Sequence, residues 1–279
     1  MQRVFSWGRI SVLLFLSLWG RAQTVRQPLI STYPGMGAYS KSRADVFSMV
    51  LNPAALANVR QAGAGVYSER RFLLSALQQY TAGMALPTAS GTFGLQADYF
   101  GFNAYNETQL GLGYGRSLGS KVDVGAKFNY YNLRIPGYQS ASTIHFEAGV
   151  VMHLSDKVHA AFSTYNPVGG VINKLADEKL ASVHRGGIGY EVSDRFFIMG
   201  EIIKEEGRNV GVNAGFEYNL ATQLLVRGGV NTVTSQPFVG AGLRLGTLRV
   251  DVATYYHPQL GITPAVMLLF DFKKPEANP

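Results

Sequence analysis

The feature that most limits what this chain can fold into is a two-residue rhythm of apolar and polar side chains, clearest over residues 122–153. Val122, Val124, Ala126, Phe128 and Tyr130 alternate with Asp123, Gly125, Lys127, Asn129 and Tyr131. After a break, Ile144, Phe146, Ala148, Val150 and Met152 alternate with His145, Glu147, Gly149 and His153. Successive side chains of a strand point to opposite faces, so each stretch predicts a strand with one face for hydrocarbon and one for water. A soluble sandwich alternates too, so the number of repeats and the pattern of connections must decide.

The same reading places strands at 61–69, 77–86, 92–100, 105–117, 122–133, 143–153, 158–166, 182–192, 195–204, 209–218, 224–231, 238–245, 248–257 and 265–272. About fourteen strands of roughly ten residues is the signature of a bacterial transmembrane barrel, an all-β antiparallel fold. Such barrels also have short turns at one end and longer loops at the other. Turns at 87–91, 118–121, 154–157, 193–194, 219–223 and 246–247 are expected on the periplasmic side. Connections at 70–76, 101–104, 134–142, 167–181, 205–208, 232–237 and 258–264 are expected outside.

The faces follow the same logic. Val210, Val212, Ala214 and Phe216, Val239, Ala241, Leu243 and Leu245, and Val266, Leu268, Phe270 and Phe272 form lipid-side sets. Tyr99, Phe196, Tyr218, Tyr256 and Phe272 fall near strand ends, as interfacial aromatic girdles require. Arg116 and His184 interrupt the apolar face, each near a predicted strand end, where a charge costs little.

The N-terminus reads differently. Arg3 and Arg9 precede an apolar core at 10–19 and a small-x-small Gly20-Arg21-Ala22, the pattern of a secretory signal peptide over 1–22. Removing it lowers the formal charge from +7 to +4 by the loss of Arg3, Arg9 and Arg21. The remaining basic residues are scattered among strands, so no nucleic-acid partner is expected. The absence of cysteine excludes disulfides and cysteine zinc sites. No apolar run outside the N-terminus is long enough for a membrane helix.

Residues 23–60 have no sustained alternation and are broken by Pro28, Pro34, Gly35, Gly37 and Pro53. They contain Gly35-Met36-Gly37, Asp45 and Asn52-Pro53-Ala54-Ala55-Leu56-Ala57 ahead of the first strand. This arrangement resembles the N-terminus of the FadL-like outer-membrane barrels, including their PorV/PorQ branch in Bacteroidetes. The loop at 134–142, with its Ile-Pro-Gly-Tyr-Gln-Ser-Ala-Ser, and Asn166-Pro167-Val168-Gly169-Gly170 look closer to PorV/PorQ. The resemblance implies a hatch over 23–60 with Asn52, Pro53 and Ala54 as its motif, a barrel over 61–272 and a tail over 273–279. It also implies residence in the outer membrane of a Gram-negative, Bacteroidetes-like bacterium. Two roles follow from it: passage of a hydrophobic or small solute, or service as a type IX secretion accessory through a partner protein.

On the predicted inner wall lie Asp98, Glu107, Asp123, Lys127, Asn129, His145, Glu147, Arg185, Glu201, Glu217, Arg227, Arg244, Arg249 and Asp251. The mixed signs favour hydrogen-bonded acid and base ladders against the hatch over a selectivity ring, which would show one sign. Phe197, Met199, Phe238, Tyr255, Met267 and Leu269 also face inward; they either form a pocket for a greasy ligand or pack against the hatch. No G-x-S-x-G or H-E-x-x-H is present, and no enzyme activity or cofactor is expected. His153 and His159 are expected to meet across the 154–157 turn, as a solvated rim pair in preference to a metal site. Gly111-Leu112-Gly113-Tyr114-Gly115 lies inside an alternating strand and lacks the helix a nucleotide site needs.

Overall fold

A strand crossing hydrocarbon must pair its backbone groups on both sides, which only a closed sheet achieves. The computed structural model describes residues 32–137, 140–169, 171–173, 178–232 and 235–272, and its main sheet is closed. The strands are β1 (Gly63–Arg70), β2 (Gln78–Thr88), β3 (Gly91–Phe102), β4 (Tyr105–Leu118), β5 (Val122–Arg134), β6 (Ala141–His153) and β7 (Val158–Tyr165). They continue as β8 (Val171–Asn173), β9 (Glu178–Lys179), β10 (Val183–Glu191), β11 (Phe196–Glu205), β12 (Gly211–Asn219), β13 (Leu224–Asn231), β14 (Gln236–Leu245), β15 (Leu248–His257) and β16 (Gly261–Asp271). All but β8 and β9 form one antiparallel barrel in chain order, closed by β1 on β16 from Gly63↔Asp271 to Glu69↔Ala265. The expected signal peptide, residues 23–31 of the expected hatch and the 273–279 tail lie outside the described residues.

The barrel has the fourteen strands expected, and the connections sort by end. Residues 89–90, 119–121, 154–157, 192–195, 220–223 and 246–247 join strands at one end; 71–77, 135–140, 166–182, 206–210, 232–235 and 258–260 join them at the other, with the tight 103–104. The 166–182 connection, expected as plain loop, carries the small β8–β9 hairpin. β14 and β16 start earlier than alternation predicts, because each runs through a proline. β16 begins at Gly261, not residue 265, and β14 begins at Gln236, not residue 238. Pro264 pairs only with Thr254 of β15, and Pro237 only with Val230 of β13. Each has a neighbour on one side alone, the position in a sheet that tolerates a missing N–H.

The outward face is apolar nearly throughout. Phe128, midway along β5, is 64% exposed and Ile144 of β6 is 73% exposed. Val212, Phe216, Val239, Leu243, Val266, Leu268 and Phe270 project the same way. Aromatic rings pair near the two ends: Phe93 with Tyr114 and Phe196 with Tyr218 toward the short turns, Tyr80 with Tyr99 toward the long connections. Arg116 and His184 also face outward, and His184 bonds Thr164 Oγ1 at 3.0 Å. In water this surface would be untenable; in a bilayer it is the lowest-energy choice.

Residues 32–59 lie inside the barrel. They form short helical turns at Thr32–Gly35, Met36–Tyr39, Ser48–Val50 and Pro53–Asn58, too irregular for a strand because of their prolines and glycines. Their side chains join a buried cluster with residues of β1, β2, β6, β7, β11, β14, β15 and β16. A segment that touches inward residues all around a closed sheet can only occupy its lumen.

Candidate functional site

The seat of the internal segment is built at Asn52. Its Oδ1 accepts the Ala54 N–H at 3.0 Å, capping the Pro53–Asn58 turn, and Pro53 follows at the first helical position, where its missing N–H has no cost. The Asn52 Nδ2 group donates to the carbonyls of Val150 in β6 and Phe162 in β7, at 3.2 and 3.4 Å. Ser163 Oγ donates to the Leu51 carbonyl at 2.7 Å. This close approach explains two inner-wall glycines: a Cβ on Gly149 would stand 1.9 Å from Asn52 Oδ1, and one on Gly125 2.4 Å from the Pro53 backbone. Ala54 is fully buried behind them. The three expected motif residues therefore meet at one wall of the lumen.

The polar inner wall falls into separate groups. Around β3 to β6, the fully buried Lys127 ammonium is 2.9 Å from both Gln96 Oε1 and Glu147 Oε1. Asn129 Nδ2 donates to the same Glu147 oxygen at 2.9 Å, while Asp98 accepts from Thr81 and Gln96 at 2.7 and 2.6 Å. Across the barrel, Arg227 Nε donates to Glu217 at 2.7 Å, and its guanidinium lies 3.6 Å from Asp251 and over the Tyr33 ring at 5.0 Å. The internal segment completes this group: Arg43 Nε reaches Glu217 at 3.1 Å, and Arg249 bonds Asp45 at 2.8 Å. Glu201, near Arg185 at 4.0 Å, accepts from Asn213 at 2.6 Å and from the Tyr39 hydroxyl. Burial, then the Glu201 charge, raises the Tyr39 phenol well above its usual range, so it remains a donor.

His145 stands apart from these groups. It is buried with its ring 4.4 Å from that of Tyr165, and neither nitrogen has a hydrogen-bond partner among the described residues. Asp123, Lys127, Asn129, Glu147, Arg185, Glu201, Glu217 and Arg227 each have a charged or amide partner.

All six expected apolar residues enter one cluster. Phe197, Met199, Phe238, Tyr255, Met267 and Leu269 are buried with Tyr33, Met36, Tyr39, Phe47, Met49 and Leu56 of the internal segment. Phe238 packs on Tyr255 at 5.4 Å and on Tyr33 at 6.1 Å. A second apolar cluster, which alternation did not single out, lies toward the long connections. It comprises Tyr131, Leu133, Tyr165, Leu180 and Val183, with Tyr105, Ile135, Ala141 and Ile203 against it. These residues come from six strands and two connections, so only register brings them together.

One group escaped sequence reasoning and one was expected in a different setting. Glu69 accepts from Tyr67 at 2.6 Å and pairs with Arg71 at 2.8 Å. His153 and His159 do meet, but as buried groups and not a solvated rim pair, because residues 40–43 and 58 cover that end. Inward parity on β10 was the available signal for their partner Glu191. On the outer wall an apolar groove of ≈ 610 Å³ spans β2 to β6, lined by Ala82, Leu95, Leu110, Leu112, Phe128 and Ile144 among others.

Comparison with known proteins identifies the fold. The chain resembles the CymD monoaromatic hydrocarbon channel at 11% identity and TM-score 0.61, over 86% of this chain and 97% of that one. A Pseudomonas aeruginosa FadL homologue matches at 11% identity and TM-score 0.60, over 87% and 98%. The Ralstonia pickettii toluene transporter TbuX matches at 11% identity and TM-score 0.60, over 86% and 98%. At such identity the likeness establishes a shared fold, the closed antiparallel barrel expected from the strand pattern. No protein-family model matches the sequence, and no curated protein does.

Proposed function

We propose that this chain is a non-enzymatic outer-membrane barrel that admits a hydrophobic or small solute, with residues 23–60 as its hatch and the long connections outside. The observation that carries this reading is the lumen's apolar cluster at the long-connection end, above a lumen filled by the internal segment. An aqueous pore needs a continuous polar lining; here a solute must part Tyr131, Leu133, Tyr165 and Leu180 to enter, which favours species that such side chains solvate. Among the mixed-sign pairs, Arg43 with Glu217 and Arg249 with Asp45 tie the segment to the wall, so these act as fastenings and not as a filter. That CymD and TbuX are described as a monoaromatic hydrocarbon channel and a toluene transporter supports the same class of solute. The outer apolar belt and its aromatic ends support the location.

Plain lipid passes hydrocarbons unaided, so the test uses cells whose outer leaflet is lipopolysaccharide. Expression should raise uptake of a labelled aromatic hydrocarbon over the empty vector and leave uptake of a charged sugar unchanged. Equal hydrocarbon uptake would reject the reading. For the secretion role, part of the 134–142 and 166–170 sequence that suggested it, at 138–139 and 170, lies outside the described residues, and no specific observation favours it. A stoichiometric secretion partner recovered from native membrane would restore it.

A further inference from the structure

At the short-turn end, ionisable side chains from four adjacent strands form one string. Asp123 Oδ2 of β5 is 2.7 Å from His153 Nε2 of β6, and His153 Nδ1 is 2.9 Å from His159 Nδ1 of β7. His159 Nε2 in turn faces Glu191 Oε1 of β10 at 3.5 Å. Both ends of the string hold the internal segment. Asn58 Nδ2 donates to Asp123 Oδ2 at 2.8 Å. Glu191 accepts from the hydroxyls of Ser40 and Ser42 at 2.7 and 2.6 Å and from the Lys41 and Ser42 main chain, each at 3.2 Å.

Proton counting gives this geometry its meaning. The Asp123 contact requires a proton on His153 Nε2, and the Nδ1–Nδ1 contact holds one proton, leaving one nitrogen bare. Two neutral imidazoles carry two protons, and those two contacts use both. His159 Nε2 would then present a lone pair to the Glu191 carboxylate at a site with no exposure to water. A third proton turns that opposition into a charge-assisted contact. A fourth would set N–H against N–H across 2.9 Å, a contact no pair of rings can keep.

We propose that Asp123, His153, His159 and Glu191 form a proton-counted latch on the internal segment, closed with one imidazolium between two carboxylates and opened when a second imidazolium forms. The groups facing the rings are accounted for as follows. From the internal segment, Arg43 approaches Glu191 at 3.4 Å but spends its Nε on Glu217, so it supports the carboxylate without replacing the ring proton. Lys121 and Lys157 meet the string through main-chain carbonyls, accepting from the His153 and Glu191 N–H groups, each at 2.8 Å. Asp156, in the β6–β7 turn, is exposed. The latch couples acidity at one end of the barrel to the hold on residues 40–43 and 58, whatever the solute.

Two measurements on the micelle-folded full chain test this. With ¹⁵N-labelled histidine near neutral pH, the four ring nitrogens of the pair should carry three protons; two would overturn the latch. Because the chain has no cysteine, a nitroxide on Lys41→Cys reports the segment alone. It should be immobile at neutral pH and mobile in mild acid, and His159→Gln, which takes up no ring proton, should abolish that step. No step in the parent, or the same step in His159→Gln, would overturn the proposal. Should His159→Gln not fold, the proton count on the parent decides alone. Neither readout involves solute uptake, so failure here leaves the transport reading standing.

Discussion

Asn52 offers a sharp test of how the internal segment is held, because the same side chain is acceptor on one side and donor on the other. Its Oδ1 caps the turn through Ala54 N–H, and its Nδ2 donates to the carbonyls of Val150 and Phe162. Asn52→Ala removes all of these bonds. Loss of a cap costs about 1 kcal/mol. Loss of the two donated bonds, at about 1 kcal/mol each, brings the total to about 3 kcal/mol. Asn52→Asp keeps the cap yet replaces the donor with a carboxylate oxygen aimed at two carbonyls. An uncompensated charge at a site 1% exposed costs about 3–5 kcal/mol. The isosteric change is therefore expected to loosen the segment more than the truncation does. Even 1–2 kcal/mol is roughly a 5–30-fold change in the bound-to-released ratio. Hydrogen exchange of residues 48–58 in micelles, together with the rate of proteolytic cleavage there, reads that ratio while the barrel stays folded. An Asn52→Asp chain as protected as wild type, or better protected than Asn52→Ala, would refute the geometry described for Asn52.

Three further outcomes follow. Gly149→Ala, whose Cβ would meet Asn52 Oδ1 at 1.9 Å, should cost about 1–3 kcal/mol of segment binding by overpacking, whereas Gly200→Ala, with open space around its Cβ, should be neutral; equal exchange rates in the two would count against the packing. Arg227→Met strips Glu217 and Asp251 of their common partner and should cost about 3–5 kcal/mol, in part recovered by adding Glu217→Gln; urea melts of the barrel followed by circular dichroism check this, and additive losses would argue against a shared pair. Phe128→Arg puts a charge at the middle of the outward face of β5 and should cost about 2–4 kcal/mol of folding into lipid vesicles, an expectation abandoned if insertion is unchanged.

The alternation of single residues was enough to find the strands, because strand geometry sends neighbours to opposite faces whatever lies across the sheet. It yielded the fourteen staves, their two faces, the sorting of connections and the inward set from Asp98 to Asp251. It faltered where a local signal was overridden. Pro237 and Pro264 read as breaks, but each sits where one neighbour is missing, and that depends on how far the adjacent strand extends. The Asn-Pro-Ala motif was visible as residues, while its seat on Gly125 and Gly149 was not.

Partner choice belongs to the tertiary structure. Nothing in the chain's local pattern pairs Arg43 with Glu217, Arg249 with Asp45, or Asn58 with Asp123, since closure of the barrel and the path of residues 32–59 bring them together. The same path decides that His153 and His159 are buried instead of wet, because the segment covers the short-turn end. Periodicity is a property of the backbone and is written residue by residue; charge pairing and burial are properties of enclosed space, and only the closed sheet with its occupied lumen creates that space.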